Sequence, residues 1–102
     1  SGLALIFDEI DRGIGGATAE AVGDRLSILS KNEQILIVTH SPQVASKAHK
    51  HWNVSKKISS EGFPLSSIKE LGTDDIKKEL ARMISGKLIT KEAIAAAEKL
   101  MH

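Results

Sequence analysis

The stretch Leu3-Ala4-Leu5-Ile6-Phe7-Asp8-Glu9 places five apolar residues directly before two neighbouring carboxylates. An unbroken apolar run of this length is typical of a β-strand that is buried on both faces, as in a parallel sheet. In open α/β sheets, ligands bind beyond the carboxyl ends of the strands, which is where Asp8 and Glu9 follow. Two adjacent carboxylates at the edge of a core cost free energy unless a cation or substrate interacts with them. The stretch therefore predicts a binding or catalytic site.

The residues that follow extend this strand into a strand–helix–strand unit. Residues 12–16, Arg12-Gly13-Ile14-Gly15-Gly16, form a glycine-rich loop with the backbone freedom to approach another surface closely. Residues 17–30 predict a helix, and residues 35–38 predict a second buried strand that leads into Thr39 and His40. This spacing predicts a right-handed βαβ core whose parallel strands end at the same edge of the sheet. The helix residues expected to face the sheet are Val22, Leu26 and Leu29, and those expected to face outward are Glu20, Asp24 and Lys31.

The second half of the chain predicts one hairpin of strands and one of helices. A short helix is expected over residues 42–47, because Ser41 can cap it and Pro42 suits its first position. Residues 49–58 and 65–71 predict an antiparallel hairpin at the edge of the parallel sheet, with Pro64 in the returning strand. Thr73 and Thr90 are expected to cap two amphipathic helices, which form an αα-hairpin over one sheet face. Gly86 is expected to end the first of them. The side chains expected to point inward are Trp52, Val54 and Ile58 in the hairpin, and Ile76, Leu80, Met83, Ile84, Ile94, Ala97, Leu100 and Met101 in the helices.

Composition places the chain among ordinary globular proteins. Its 102 residues are 41% hydrophobic and 26% charged, and its net charge of +1 gives no basic excess of the kind that marks a nucleic-acid-binding domain. The lack of cysteine excludes disulfides and thiol chemistry and fits a reducing cytosol. No apolar run approaches the roughly 20 residues that a membrane span needs. Because a core strand begins almost at residue 1, we expect the N-terminal part of a domain to be missing.

The two strand ends carry side chains suited to metal-assisted phosphoryl chemistry. Asp8 can hold Mg²⁺ through water, since this ion keeps much of its hydration shell. Glu9 can orient or deprotonate an attacking water, and His40 can donate a hydrogen bond to a phosphate oxygen. The alternative without a catalytic role is that Asp8 and Glu9 belong to an acidic first helix turn and that His40 is a capping or solvent-exposed histidine. The occurrence of all three side chains in one βαβ unit favours the phosphoryl interpretation.

Three other features carry weaker signals. His49 and His51 fall on one side of a strand and could bind a metal, but no third ligand has a suitable spacing. Trp52 favours packing over base stacking, because the chain has only two other aromatic residues. Four lysines favour a solvated face over a DNA contact. These lysines are Lys47, Lys50, Lys56 and Lys57.

Together these residues resemble the C-terminal half of an ABC-type ATPase head, in the branch that contains SMC proteins and RecN. Residues 3–9 look like a Walker B motif, and residues 35–40 look like the strand that carries the switch histidine. Within the branch the chain is most similar to RecN-type sequences, in residues 6–16, 38–45 and 80–90. The run Thr39-His40-Ser41-Pro42-Gln43-Val44-Ala45 is the more specific part of the resemblance. The resemblance implies part of a P-loop NTPase fold over nearly the whole chain.

The resemblance also implies roles and partners. Asp8 would support the Mg²⁺ that accompanies ATP, Glu9 would be the catalytic carboxylate, and His40 would sense the γ-phosphate. Residues 12–16 would be the D-loop, which crosses the interface between two heads, with Gly13, Gly15 and Gly16 beside the partner's nucleotide. Gly15 stands where many ABC proteins have aspartate, whereas RecN-like sequences carry a small residue. The implied parent is a cytoplasmic, nucleoid-associated bacterial ATPase of DNA double-strand-break repair and recombination. Its implied partners are the N-terminal part of the same head, a second head in a homodimer, and DNA, with no membrane.

One feature of such heads is missing from the sequence. The only Gly-Lys pair, Gly86-Lys87, has Ala81 five residues before its glycine and Leu88 after its lysine, so no phosphate-binding loop is present. No Leu-Ser-Gly-Gly-type signature is present either. We therefore expect a fragment that does not hydrolyse ATP alone. Two alternatives stay open: half of another ABC-type ATPase, such as a transporter's nucleotide-binding subunit, and a non-catalytic module in which the C-terminal hairpin binds a partner.

Overall fold

The computed structural model describes residues 4–9 and 13–102. Leu3 of the first predicted strand, and Ile10, Asp11 and Arg12 of the following loop, lie outside the described residues. Helices and strands occur in the predicted order, with bounds within three residues of those expected. They are β1 (Ala4–Asp8), α1 (Gly16–Leu29), β2 (Gln34–Val38), α2 (Pro42–Ala45), β3 (Trp52–Ile58), β4 (Pro64–Glu70), α3 (Thr73–Ser85) and α4 (Lys91–Met101). None of the described helices is long and apolar enough to cross a membrane.

Strands β1 and β2 pair in parallel, and α1 connects them along the chain. Asp8 lies opposite Val38, so both strands end at one edge of this sheet. One face is covered, because Phe7 and Ile37 pack against a cluster of Ala19, Leu26 and Val44 from α1 and α2. The cluster forms because apolar residues of α1 recur at helical spacing.

The opposite face of this sheet is open. Ile6 is 71% exposed, and Leu36 and Val38 share its face and its exposure. The expectation that the strand is buried on both faces is therefore wrong for the described part of the chain, where α1 and α2 cover a single side. Leu29 is also exposed, against expectation. The buried line of α1 runs through Ala19, Gly23 and Leu26, and Leu29 lies off it.

Strands β3 and β4 form a separate antiparallel hairpin. Trp52 lies opposite Glu70, and Ile58 lies opposite Pro64. In the described residues this hairpin is its own two-stranded sheet, so its predicted place at the edge of the parallel sheet is wrong. Its predicted inward side chains are wrong as well, since Trp52, Val54 and Ile58 are 50%, 61% and 78% exposed. Alternation identifies residues that share a face, but it does not say whether anything covers that face.

The helices α3 and α4 pack against each other and against α2. Leu80 and Ala81 of α3, Ala93 and Ala97 of α4, and Ala45 of α2 form the buried cluster. Small alanines let the helix backbones approach closely. The αα-hairpin therefore contacts a helix rather than a sheet face, and the expectation that it covers the sheet is wrong. The predicted side chains that pack on this cluster are Ile76, Met83, Ile94 and Met101.

The caps of these helices are partly as predicted. Thr90 caps α4 by accepting a hydrogen bond from the backbone N–H of Ala93 at 3.0 Å. Gly86 ends α3 with a φ of 82°, a conformation that favours glycine. Thr73 is the first residue of α3 rather than its cap, which is Gly72. Ile84 is partly exposed, because the buried side of α3 is centred on Leu80 and Ala81.

Candidate functional site

The site begins where β1 ends. The backbone N–H of Glu9 donates a 2.8 Å hydrogen bond to the carbonyl of Val38, so pairing continues one residue past Asp8. Glu9 then takes a φ of 52°, the left-handed region that residues other than glycine rarely adopt. Such a conformation costs free energy and tends to be kept at functional positions. The backbone thus turns sharply at the second of the two carboxylates.

His40, at the end of the neighbouring strand, contacts this carboxylate. Its Nε2 lies 3.1 Å from Oε1 of Glu9, a distance at which an N–H on Nε2 can donate a hydrogen bond to the carboxylate. The His40 side chain is 84% exposed and that of Glu9 is 31% exposed, so the pair opens to solvent. Asp8 is exposed beside it. The structure therefore brings the three side chains predicted from the strand ends to one edge of the sheet.

The loop after β2 fixes the backbone around His40. Thr39 Oγ1 accepts a 2.9 Å hydrogen bond from the N–H of Ser41. The Ser41 hydroxyl donates to Gln43 Oε1 at 3.0 Å and accepts a 3.4 Å bond from the N–H of Val44, which caps α2 as predicted. These bonds hold the residues that follow His40, whose exposed imidazole contacts Glu9.

Glycines in the loop before α1 and in α1 itself allow close packing near the same short helix, α2. Gly13 has a φ of 80°, which requires glycine. A Cβ on Gly16 would lie 3.3 Å from Nε2 of Gln43, and one on Gly23 would lie 3.3 Å from both the carbonyl oxygen of Gln43 and Cα of Val44. Bare glycine backbone thus lets α1 sit directly on α2, which follows His40.

Ion pairs also join α1 to Lys47, which follows α2 along the chain. Lys47 Nζ lies 3.1 Å from Oδ1 of Asp24 and 3.8 Å from Oε1 of Glu20. The hydrogen bond to Asp24 raises the pKa of Lys47 above its ordinary value. The sequence predicts the two acids on the outer side of α1 and Lys47 on a solvated face, whereas Lys47 contacts both acids. The packing of Gly23 against Gln43 was not predicted. These contacts join residues about 20 or more positions apart along the chain, and no short-range sequence pattern predicts such contacts.

The donor set fits Mg²⁺ but does not by itself fit ATP. Mg²⁺ is usually held by one or two carboxylates together with waters and substrate phosphates, and Asp8 offers one exposed carboxylate at the strand end. Among the described residues, no group of three His, Asp or Glu side chains could hold a metal ion alone. His49 and His51 belong to no such group. A nucleotide would also need a loop of backbone N–H groups around its phosphates, which this sequence lacks.

Comparison with known proteins identifies relatives over almost the whole chain. No protein-family model matches it. It is 50% identical over 98 residues to the DNA repair protein RecN of Xylella fastidiosa (strain 9a5c), and 46% identical over 99 residues to RecN of Rickettsia felis. It is 41% identical over 98 residues to RecN of Deinococcus radiodurans. These matches cover 96% or 97% of this chain.

The fold has a relative among solved structures. An SMC ATPase, solved in work on ATP-driven dimerization and DNA-stimulated activation, superimposes with a TM-score of 0.66 at 24% identity. The match covers 83% of this chain and 50% of that chain. This likeness shows a shared fold of mixed helices and strands.

The sequence matches decide the family. Each of the three relatives is a RecN protein, and each match runs through nearly all of this chain. The chain spans only 17% or 18% of the length of these relatives. The chain therefore belongs to the RecN family, as a segment of a RecN sequence.

Proposed function

We propose that this chain supplies the Mg²⁺-binding and hydrolytic half of the ATP site in a RecN-type ATPase of DNA double-strand-break repair and recombination. The observation that carries the proposal is the 3.1 Å contact between Glu9 and His40 at the ends of two parallel strands. It occurs in a chain that is 50% identical to a RecN protein. An acid and a histidine that meet at the carboxyl ends of strands lie where α/β proteins bind ligands.

Each side chain then has a distinct task. MgATP, when bound, supplies the γ-phosphoryl group that water attacks. Asp8 would hold the metal through water, a role that suits an exposed carboxylate at the strand end. Glu9 orients the attacking water and accepts its proton. His40 Nε2, which lies 3.1 Å from Glu9, donates its N–H either to that carboxylate or to a phosphate oxygen, and a rotation of the exposed ring would switch the partner.

The remaining parts of the site come from outside this chain. The proposed fold is half of an ABC-type P-loop head with a right-handed βαβ core, and the remaining half supplies the phosphate-binding loop. Gly13, Gly15 and Gly16 face a second head across a homodimer. The proposed binding partner of the intact protein is DNA, and its proposed location is the nucleoid in the bacterial cytoplasm. The SMC ATPase with a similar fold is described as dimerizing with ATP and as activated by DNA, which supports both partners.

The transporter alternative is not favoured. The curated relatives reported above are RecN proteins, at 41% to 50% identity. A non-catalytic module stays an outcome of the experiment that follows.

A chimeric protein tests the proposal. The matching segment of Xylella fastidiosa RecN is replaced by this chain, and steady-state MgATP hydrolysis is measured with Glu9→Gln, Asp8→Asn and His40→Ala. Glu9→Gln should lower the rate by about 100-fold or more, because a general base contributes about that much. Glu61→Gln is the matched control, since Glu61 is an exposed carboxylate in the hairpin turn. Unchanged turnover in all three site variants would favour the non-catalytic module.

The isolated chain provides a second test. Without a backbone loop that cradles phosphates, the 102-residue chain should show no saturable MgATP hydrolysis. Saturable turnover that Glu9→Gln abolishes would mean that this segment holds a complete site, and the proposed division of the site into halves would be wrong.

A further inference from the structure

The hairpin β3–β4 has two chemically different faces. On one face, Trp52, Val54 and Ile68 lie together and are exposed. The other face, which we name the lysine–serine face, contains no acidic residue. Its members by strand alternation are Asn53, Ser55, Lys57, Leu65, Ser67 and Lys69.

The polar groups of the lysine–serine face form an ordered row. The hydroxyls of Ser55 and Ser67 are paired across the strands, with their Oγ atoms 2.7 Å apart. Lys57 and Lys69 lie on opposite sides of this serine pair. Lys69 is paired with Asn53, so the two lysines are separated by four residue positions along β3. At about 3.3 Å per residue this is a separation of about 13 Å. Along the axis of a DNA duplex each strand carries a phosphate about every 3.4 Å, so two lysines about 13 Å apart can lie against the same strand.

A cleft opens between this face and α3. It has a volume of about 330 Å³, and its lining includes Asn53, Ser55 and Lys69 from the hairpin with Lys78 and Arg82 from the helix. In the described part of the chain, Lys57, Lys69 and Lys78 form no ion pair. Three lysine charges are thus available to a ligand.

The cleft also contains two acidic side chains, Glu79 and Asp75. Glu79 is engaged by Arg82, whose Nε lies 3.0 Å from each carboxylate oxygen. The hydrogen bond with Glu79 raises the pKa of Arg82 above its ordinary value. Asp75 lies in the first turn of α3, where the helix dipole stabilises a negative charge. The cleft lining therefore carries three basic side chains against two acidic ones, and Lys57 on the same hairpin face adds a further positive charge.

We propose that the lysine–serine face and the cleft beneath it bind the sugar–phosphate backbone of DNA without reading its base sequence. Lysine, serine and asparagine are side chains that contact phosphates in protein–DNA complexes. The aromatic Trp52 lies on the opposite face, so base stacking has no platform here. The assignment of DNA as the polyanion rests on the proposed function of the chain in DNA repair. The apolar face turns away from the cleft, so a protein covering it leaves the lysine–serine face free.

Fluorescence anisotropy with a labelled DNA duplex of about 30 base pairs tests this site on the chain itself. The wild-type chain should bind, and its affinity should fall between about 50 and 200 mM salt. The double variant Lys57→Glu/Lys69→Glu should bind at least about tenfold more weakly, and its salt slope should be smaller by about 2. All six face residues except Asn53 are exposed, so these substitutions leave the buried clusters untouched. Circular dichroism confirms folding.

The matched control is Lys31→Glu/Lys99→Glu, which changes the net charge equally at exposed positions outside the hairpin. An equal loss of affinity in the control would show that binding follows net charge, and would overturn the site. Lack of binding by the wild-type chain, or equal competition by polyglutamate, would overturn it as well. In the RecN chimera, Lys57→Glu/Lys69→Glu should keep DNA-independent ATP hydrolysis. If only the ATPase proposal is wrong, Glu9→Gln should hydrolyse ATP at the normal rate while the chain still binds DNA.

Discussion

Glu9 combines a predicted catalytic carboxylate with a strained backbone. Its φ of 52° is the one positive value among the described residues that are not glycine. Glu9→Gly should relieve more strain than the unfolded-state entropy of glycine costs, and so raise the free energy of unfolding by about 1 kcal/mol, even though the contact with His40 is lost. Urea unfolding measures the change. The same variant should abolish hydrolysis in the chimera, which would show stability traded for function.

Glu61→Gly is the control for this prediction. Glu61 is exposed and does not have a positive φ, so glycine there should lower stability slightly through the entropy of the unfolded chain. If Glu9→Gly is no more stable than Glu61→Gly, the backbone at Glu9 is not strained.

His51 predicts a dependence of stability on pH. Its Nδ1 is buried and has no hydrogen-bond partner among the described residues. Burial lowers the pKa of His51 below its ordinary value of 6.5, and the charge of Glu79 opposes this shift. As pH falls below 6.5, the unfolded chain therefore binds the proton first, and stability is lost.

His51→Phe should reduce this loss, because the ring no longer titrates and the orphan nitrogen is removed. Urea unfolding at about pH 7 and about pH 5 gives the difference in stability for each variant. His49→Phe, at an exposed neighbouring position, should keep the wild-type difference. An unchanged difference in His51→Phe would mean that another group controls the pH response.

Individual site residues were predictable where a local rule applied. The ends of parallel strands meet at one sheet edge, so Asp8, Glu9 and His40 followed from two apolar runs. Their catalytic roles stay predictions. The strain at Glu9 and the buried nitrogen of His51 depend on tertiary contacts, and no spacing rule describes them.

At the scale of elements, α1 sits on α2 because Gly23 lacks a side chain. A Cβ there would lie 2.9 Å from Cγ of Lys47 and 3.3 Å from two backbone atoms of α2. The lysine can move, but the backbone of α2 must shift. Gly23→Leu should therefore lower the free energy of unfolding by about 1–3 kcal/mol, as overpacking typically does. Ala21→Leu, on the exposed side of the same helix, is the control for helix propensity and should be nearly neutral.

The stability of the packing between α3, α4 and α2 should depend on Leu80. Leu80 is fully buried between α3, α4 and α2, where Ala45 and Ala97 join the same cluster. Leu80→Ala should cost about 2–5 kcal/mol, through lost burial and the cavity that remains. Leu88→Ala, at a side chain that is 78% exposed, should change stability by less than about 0.5 kcal/mol. Thermal unfolding followed by circular dichroism compares the two variants.

Elements were predicted well in kind and poorly in placement. Helical spacing identified α3 and α4 and most of the residues that pack on their cluster. The same patterns did not show that α3 and α4 pack on α2, or that the hairpin stands apart from β1 and β2. Periodicity states which residues share a face, whereas packing partners depend on the whole chain.

At the scale of the whole molecule, the chain exposes more surface than a compact protein of its size. Its accessible surface is 7643 Å², whereas a monomer of 11.0 kDa has about 5,600 Å². The excess, about 2,000 Å², is more than the roughly 800 Å² that one partner buries in a standard protein interface. Two apolar faces contribute to it. They are the open face of β1–β2, with Ile6, Leu36 and Val38, and the apolar face of the hairpin, with Trp52, Val54 and Ile68.

These faces predict that the chain associates when it is alone. It should bind 8-anilinonaphthalene-1-sulfonate and sediment as oligomers at micromolar concentration, because exposed apolar area of this size drives contacts. Val54→Ser/Ile68→Ser should reduce both signals, since these residues are directly opposite one another on the hairpin. Ser55→Ala/Ser67→Ala changes the neighbouring pair on the lysine–serine face and should leave both signals unchanged. Co-expression with the remaining length of Xylella fastidiosa RecN should give a soluble complex with little dye binding. If dye binding persists in that complex, the apolar faces are not where the two parts of the head meet.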